Sequence, residues 1–401
     1  MSARWWQPRA TLHRVVADLV ADELARERRQ AVPRALPWPG DLRLEDDLGV
    51  DSLELVALAT ALVEALHLHE SGIEDYLLAR RTLGDWVDIA AAGLAQFDAR
   101  LTFRTSGSTG VPRPCLHPLA WLQQEVRHLA TLFEGRRRVL CAVPAHHIYG
   151  FLFTVLLPQA LGVDEEAIVD LRGSTPAWLA RGARPGDLVI AHPDFWRAAA
   201  RTVAALPADV VGVTSTAPCP DDVAQAMADA GLARLVQVYG SSETAGIGAR
   251  ASHHEDYALF PHWRLDAADP RRLVRTLPEA GEQAFVLQDA LEPRGDRHFR
   301  LGARHDQAVQ VGGINVFPAR VREVLCRHPQ VQDAAVRLMR PEEGTRLKAF
   351  VVPNEDAGPE LRDALRVWID AQLAVAERPK AICFGKALPV SSTGKAADWD
   401  L

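Results

Sequence analysis

The chain has 401 residues, of which 48% are hydrophobic and 24% charged, as in ordinary globular proteins long enough for two or three domains. Its net charge of −7 gives no reason to expect a nucleic acid or an anionic membrane as partner. Five widely spaced cysteines without metal-ligand spacing, an N-terminus without an apolar signal core, and apolar runs too short for a bilayer predict a cytoplasmic protein with reduced thiols.

The first hundred residues show the apolar spacing of helices. The segment 11–29 repeats apolar residues at helical intervals, and a loop rich in Pro and Gly follows at 31–41. A second helical pattern starts at Ser52, and a last one carries Leu83, Trp86, Val87 and Ile89. These patterns predict an all-α four-helix bundle, a domain of residues 1–97.

From Leu101 onward short β-rich runs alternate with helical stretches. The runs lie at 138–143, 187–192, 209–214 and 234–240, and their alternation predicts a largely parallel α/β sheet. Beyond about residue 305, strands mix with helices in the manner of a small α+β domain. The sequence therefore predicts an α/β core at 98–305 and a C-terminal domain at 306–401.

A polar loop, RTSGSTGVPR, occupies residues 104–113. Alternating Thr, Ser and Gly can turn several backbone N–H groups and hydroxyls toward one anion. The loop does not match the usual P-loop pattern, and an ordinary Ser/Gly-rich surface loop is the alternative.

The stretch YGSSET at 239–244 directly follows the apolar run LVQV. A tyrosine, two hydroxyls and a carboxylate at the end of a strand suit a nucleotide and a hard metal ion. The alternative is a strand-ending turn whose polar residues cap a helix.

The stretch PVSSTGK ends at Lys395, near the C-terminus. Lysine is scarce among the 45 basic residues, so a lysine here indicates a need for a compact point charge instead of a guanidinium fork. A frayed tail is the alternative.

In this order TSGSTG, YGSSET and STGK resemble the adenylate-forming (ANL) superfamily of acyl-CoA ligases, luciferases and peptide-synthetase adenylation domains, over about residues 101–401. The resemblance implies ATP, Mg²⁺ and a carboxylic acid as reactants, with an acyl-adenylate formed first and a pantetheine thiol acylated second. For the nucleotide it implies phosphate binding by Thr105, Ser106, Gly107, Ser108, Thr109 and Gly110, magnesium binding by Glu243 beside Ser242, and nucleotide and ribose binding by Tyr239, Asp289 and Arg304. For the reaction it implies catalysis by Lys395 and an acid pocket at His147 in PAHHIYG. For the C-terminal domain it implies a hinge at Asp306 and a thiol tunnel at Gly312 and Gly313.

The stretch DDLGVDSLELV at 46–56, with helices around it, resembles an acyl carrier protein over about residues 10–97. The resemblance implies that Ser52 receives 4′-phosphopantetheine from a phosphopantetheinyl transferase. Two alternatives are that Ser52 only N-caps a helix and that the carrier fold is degenerate and unmodified.

Two departures from the family pattern bear on substrate and acceptor. The long subdomain that precedes the phosphate loop in standard ligases is missing, and FLFTVLL stands where amino-acid-activating relatives carry an aspartate. The motifs are closest in style to the compact ligases of aryl-polyene and xanthomonadin-type pigment clusters. We therefore predict a ligase of secondary metabolism that loads an aromatic or small unsaturated acid onto its own or a separate acyl carrier protein. Free CoA as acceptor and an inactive carrier or interaction module are the alternatives.

Overall fold

The computed structural model describes residues 4–28, 30, 32, 34–105, 113–266, 268–269, 271–304, 308–389 and 397–401. The chain divides into two compact units. The first joins the residues up to Thr105 with Pro114–Ala303, and the second contains Arg304–Leu401.

The N-terminal hundred residues are helical, as predicted. The helices are α1 Arg9–Arg28, α2 Leu44–Leu48, α3 Ser52–Leu66, α4 Tyr76–Ala79 and α5 Leu83–Gln96. Helix α3 begins with a capping box: Asp51 accepts bonds from the N–H groups of Leu53 and Glu54, and the Glu54 carboxylate accepts one from the Asp51 N–H. The cap of α3 is therefore Asp51, and the interpretation of Ser52 as the N-cap is wrong.

These helices share their hydrophobic core with the sheet that follows. Leu12, Leu58 and Trp86 are fully buried in a cluster that continues without a break to Phe299. The predicted self-contained carrier-like bundle is therefore not confirmed, because the apolar faces of its helices are covered by the rest of the first unit as well as by one another.

A buried polar contact also ties α1 to the sheet. Asp18 is 2% exposed, and its carboxylate accepts bonds from the Ala145 N–H at 2.6 Å and from the Arg172 guanidinium at 2.7 Å. An unpaired carboxylate would be costly at this depth, so this contact fixes α1 against the segment after the third strand.

The rest of the first unit is built on a nine-stranded sheet. Two smaller sheets, of two and three strands, accompany it. In chain order the strands of these three sheets are β1 Arg100–Thr105, β2 Arg113–Pro118, β3 Arg138–Cys141, β4 Ile168–Asp170, β5 Asp187–Ala191, β6 Val211–Thr214, β7 Arg234–Ser241, β8 Ala245–Arg250, β9 Tyr257–Leu259, β10 Trp263–Leu265, β11 Arg272–Thr276, β12 Glu282–Val286, β13 Asp289–Pro293 and β14 His298–Arg304. Strands β1 and β2 form the two-stranded sheet, and β10, β11 and β12 form the three-stranded sheet. The intervening helices are α6 Leu119–Leu132, α7 Ile148–Phe151, α8 Leu157–Leu161, α9 Leu179–Gly182, α10 Pro193–Thr202 and α11 Asp221–Asp229.

The order of the large sheet is β13-β14-β9-β8-β7-β6-β5-β3-β4. Strands β4, β3, β5, β6 and β7 run parallel, and β5 and β6 are buried along their whole length, which is the burial expected of strands covered on both faces. Strands β8, β9 and β14 continue the sheet in antiparallel pairs. The prediction of a parallel α/β core is confirmed for the first half of the sheet.

The second unit has its own smaller core. Its elements are β15 Val309–Val311, β16 Ile314–Val316, α12 Pro318–Cys326, β17 Val331–Leu338, β18 Leu347–Pro353, α13 Leu361–Gln372 and β19 Ala381–Phe384. Strand β18 lies between β17 and β19, and Val321, Leu325 and Leu365 fill the space between sheet and helices. The predicted α+β domain is confirmed.

None of the described helices is long and apolar enough to cross a lipid bilayer. All five cysteines are free thiols.

Candidate active site

The carboxyl ends of the parallel strands bring several predicted residues to one edge of the sheet. His147 follows β3, while Tyr239 lies at the end of β7, two strands beyond β5. In open α/β sheets the crevice at this edge is where ligands bind. Tyr149 reinforces the edge, because its hydroxyl donates to Ala191 O and Val213 O at the ends of β5 and β6.

The predicted nucleotide and ribose residues are in direct contact. The Tyr239 hydroxyl donates to Asp289 Oδ2 at 2.8 Å, although fifty positions separate the two residues. Tyr239 also packs edge-on against Phe299, with ring centroids 5.6 Å apart. A phenol and a carboxylate placed together beside an aromatic ring can hold a ribose hydroxyl and the face of a base.

Glu243 lies on the tight turn between β7 and β8, with its side chain exposed. The turn is strained, since Ala245 adopts a φ of 60°. No cation pairs with Glu243 among the described residues, so its carboxylate oxygens, the ligand type that hard divalent ions prefer, are available. The residue present therefore fits the magnesium role.

Three buried side chains hold the backbone of this turn. His117 bonds through Nε2 to Ser242 O at 2.6 Å. The Glu125 carboxylate accepts from the Gly246 N–H at 3.0 Å, and Arg275 donates to Thr244 O at 3.4 Å. A Cβ on Gly246 would lie 2.3 Å from Glu125 Oε1, so glycine is required there. We call His117, Glu125 and Arg275 the clamp, because they fix the backbone around Glu243 without contacting its side chain.

Burial sets the charge state of two members of the clamp. It raises the pKa of Glu125 to about 8, against the opposing effect of Arg275, and it lowers the pKa of His117 to about 4. A neutral His117 facing a carbonyl oxygen must carry its proton on Nε2. Sequence analysis missed the clamp, although a glutamate among the apolar positions Trp121, Leu122 and Val126 of α6 is a usable sign of a buried carboxyl.

A loop after β6 was also missed. Thr216 adopts a φ of 78°, an unfavourable conformation for a β-branched residue, at the same sheet edge. Its neighbour Ser215 donates to Val238 O at 2.9 Å and so links the loop to β7 one residue before Tyr239. A serine and a threonine at these positions do not indicate a strained turn in the sequence.

His147 borders a small cleft of about 60 Å³. Desolvation, assisted by the adjacent His146, lowers the pKa of His147 to about 3, although the residue is exposed at the surface. The walls come from α1, α3 and β1, so N-terminal helices help to enclose it. The nearby aromatics Tyr149, Phe151 and Phe153 are core residues and do not line the cleft.

Comparison with known proteins identifies the family. Residues 92–269 match the AMP-binding enzyme family, and residues 321–395 match the AMP-binding enzyme C-terminal domain. The chain is 40% identical over 371 residues to the 4-coumarate–CoA ligase of Cereibacter sphaeroides, covering 90% of this chain and 87% of that protein. It is 39% identical over 402 residues to the 4-coumarate–CoA ligase of Rhodobacter capsulatus, covering 97% of this chain and 100% of that protein. The chain belongs to the AMP-forming acid–CoA ligase family.

Solved structures support the fold of the ligase. An amide bond synthetase from Marinactinospora thermotolerans matches with a TM-score of 0.63 and 20% identity, over 96% of this chain and 93% of that one. A malonyl-CoA ligase in a product complex matches with a TM-score of 0.56 and 21% identity, over 72% of this chain and 71% of that one.

The ligase matches one of its relatives over the whole length of that relative. The match to the Rhodobacter capsulatus protein spans that whole protein, so the compact chain without a long subdomain is shared with a protein named as a ligase. This disfavours the alternative of an inactive module. The predicted likeness to pigment-cluster ligases is not confirmed by these relatives.

Several predicted site residues of the ligase lie outside the described residues: Ser106, Gly107, Ser108, Thr109, Gly110, Asp306 and Lys395. Thr105 ends β1, the strand that leads into the predicted phosphate loop, and Arg304 ends β14. Gly312 and Gly313 form the turn between β15 and β16, with φ of 58° and 80°, which favours glycine.

Ser52 of the ligase is exposed at the first position of α3. Its neighbour Leu53 is 80% exposed, and Val56 one turn later is 48% exposed. The serine hydroxyl is accessible beside an apolar surface, which is compatible with modification but is also found at ordinary helix starts.

Proposed function

We propose that the ligase activates 4-coumarate, or a closely related aromatic acid with an unsaturated side chain, and transfers it to free CoA. The observation that carries the proposal is the 38–40% identity to proteins named 4-coumarate–CoA ligase from three organisms, over 90–97% of this chain. Among the acceptors predicted from the sequence, free CoA has better support than an acyl carrier protein. The aromatic class of acid predicted from the sequence is retained.

In the first proposed step, a carboxylate oxygen of the acid bonds to the α-phosphorus of Mg·ATP, and the bond to pyrophosphate breaks. The contact between Tyr239 and Asp289 supports a ribose site there, and the clamped turn supports Glu243 as a magnesium ligand. The loop Thr105–Gly110 would bind the phosphates, and Lys395 would contact the carboxylate and the bridging oxygen. Because negative charge concentrates in this step, preorganised cations and dipoles should supply most of the acceleration.

In the second proposed step, the CoA sulfur bonds to the acyl carbon, the carbon–oxygen bond to AMP breaks, and the thiol proton is lost. Rotation of the C-terminal unit about Asp306 would withdraw Lys395 and bring the turn at Gly312 and Gly313 to the thiol path. His147 would contact the acid. Its depressed pKa supports a neutral imidazole there.

An acid panel tests the proposal. Pyrophosphate release and thioester formation are measured with ATP, CoA and each of 4-coumarate, cinnamate, benzoate and an aliphatic acid. We expect the highest kcat/KM with 4-coumarate. No thioester with any acid and CoA, while a pantetheinylated carrier is acylated, would contradict CoA as the acceptor.

The role of Lys395 is tested by separating the two steps. Lys395→Ala should slow acyl-adenylate formation by roughly a hundredfold, the usual loss for one preorganised charge partner, and should affect thiol transfer from supplied acyl-adenylate much less. Lys386→Ala is the matched control, since Lys386 is an exposed lysine of the same unit. Equal losses in both steps would assign Lys395 a structural role.

A second candidate function is favoured by one observation at Ser52. The exposed hydroxyl is not needed for the helix cap, because Asp51 provides the cap, and the exposed Leu53 offers a contact surface for a modifying enzyme. We propose that a phosphopantetheinyl transferase can attach 4′-phosphopantetheine to Ser52, whose arm would supply a thiol as an alternative acceptor.

Intact-protein mass decides this second function. After incubation with CoA and a broad-specificity transferase, wild type should gain one phosphopantetheine mass and Ser52→Ala none. An established carrier protein labelled in parallel controls for transferase activity. A labelled control with unlabelled wild type rules out the modification and leaves the acid–CoA activity untouched.

A further inference from the structure

We propose that Asp22, His146 and His147 form a binding site for a divalent transition-metal ion such as Zn²⁺. Asp22 lies on α1, and the two histidines follow β3. One ligand atom from each residue lies within 4.8 Å of the other two. The site would join the N-terminal helix to the sheet edge at the mouth of the cleft.

His146 is the strongest single observation. Its side chain is 10% exposed, Nδ1 has no hydrogen-bond partner among the described residues, and Nε2 has only the long contact with Asp22 at 3.5 Å. Buried polar groups in folded proteins are nearly always paired, so a buried imidazole with so little hydrogen bonding needs a further partner. A metal ion bound at one ring nitrogen supplies that partner.

The spacing fits a metal better than a direct hydrogen bond. His146 Nε2 and Asp22 Oδ2 are 3.5 Å apart, which is long for a hydrogen bond. Two ligands on a tetrahedral zinc ion, each at about 2.0–2.1 Å, lie about 3.3 Å from one another. The two imidazole rings are neighbours, with centroids 4.0 Å apart, and would have to separate further to bind the same ion.

The charges around the cleft leave Asp22 available. Glu23 and Glu64, which also line the cleft, both bind Arg104. Asp22 has no Arg or Lys within ion-pair distance in the described part of the chain, because Arg26 pairs with Glu23 and Glu27 instead. Its ion-pair partner in the described part of the chain is His146, so its charge can neutralise a cation that binds both side chains.

A second histidine group in the chain provides a contrast. His67, His69 and Glu70 are equally close together, but Glu70 is paired with Arg100, and His67 Nε2 bonds to Thr102 Oγ1 at 3.0 Å. A metal there would have to displace existing partners. The contrast makes this group a natural control.

Two imidazoles and one carboxylate select zinc, cobalt or nickel over magnesium, which prefers oxygen ligands. If His147 contacts the acid, which rests on the proposed function, a bound ion would compete with the acid and leave ATP binding unchanged. The ion would then act as an inhibitor.

The test measures metal binding directly, on the full chain stripped with a chelator. Co²⁺ is titrated and followed by its visible absorption, and Zn²⁺ by calorimetry. We expect one site per chain, with affinity lowered at least about tenfold in His146→Gln and in Asp22→Asn. Asp22 is half exposed, so Asp22→Asn should fold even if His146→Gln does not.

His69→Gln is the matched control and should bind as tightly as wild type. The proposal is overturned if wild type shows no one-to-one site, if His146→Gln and Asp22→Asn both bind like wild type, or if His69→Gln alone loses the site. Because binding is read without any acid substrate, these outcomes are independent of whether 4-coumarate is the substrate.

Discussion

The N-terminal helices and the C-terminal unit both flank the large sheet in the sequence, yet the helices share the hydrophobic core of the sheet and the C-terminal unit has a core of its own. Leu12, Leu58 and Trp86 of the helices belong to the same hydrophobic cluster as the sheet. Val321 and Leu365 of the C-terminal unit belong to a separate cluster. A helical pattern like that of a carrier protein therefore does not establish a separable domain, because separability depends on where the apolar faces are covered.

The largest difference between the two regions is expected when each is separated from the rest of the chain by truncation. A chain starting at residue 98 should fail to fold, because each large buried side chain of the helices stabilises by about 2–5 kcal/mol and the whole chain has only about 5–15 kcal/mol. A fragment of residues 304–401 should melt cooperatively on its own. Circular dichroism melts of both fragments check the pair, and a cooperative melt of the 98–401 fragment would refute the shared core.

The next test lies inside the C-terminal unit. Lys348 is fully buried, and its ammonium binds Glu343 at 2.8 Å, Asp398 at 3.1 Å and Trp399 O at 2.6 Å. It therefore anchors the terminal residues that directly follow the segment containing Lys395. Lysine is scarce in this chain, and its use at position 348 thus has a structural reason.

Lys348→Met should lower the melting temperature of the C-terminal unit, because Glu343 and Asp398 then keep only Arg340 as a cationic partner. Acyl-adenylate formation should fall by up to about a hundredfold if the Lys395 segment loses its anchor. Lys386→Met is the exposed control. Thermal melts and pyrophosphate release are measured together, and a stable variant with normal adenylation would show that the anchor is dispensable.

A smaller effect is expected where α1 meets the sheet. Asp18→Ala leaves the Ala145 N–H without its acceptor and removes one of the two carboxylates bound to Arg172, whose other partner is Asp170. The cost should be about 3 kcal/mol, while the exposed control Asp41→Ala should stay within about 0.5 kcal/mol. Urea unfolding of the two variants checks this, and equal stabilities would argue against the contact as a tie.

The sequence sufficed for features carried by local pattern. The helices and the parallel strands follow from periodicity, whereas the association of Tyr239 with Asp289 at one site follows from the family resemblance, and that contact is formed. Contacts between residues that are distant in the chain could not be predicted from the sequence. In the sequence Glu125 looks like an ordinary polar residue of a helix, and only the fold places Gly246 and Arg275 around it. No local pattern indicates that the helices and the sheet share one hydrophobic core.

A pH dependence is also expected at Glu125, inside the shared core. Its carboxyl has a pKa of about 8 in the folded chain and 4.5 as the ordinary value. Between these values the folded chain holds a proton on Glu125 that the unfolded chain has lost, so the contribution of Glu125 to stability falls as pH rises from about 5 to 8. Glu125→Gln has the same shape and does not titrate, so its melting temperature should vary less over this range. The two proteins should be most alike near pH 5, and wild type should fall behind by pH 8. If their melting temperatures change in parallel over the whole range, Glu125 is ionised in the folded chain and the clamp on the Glu243 turn carries a full charge.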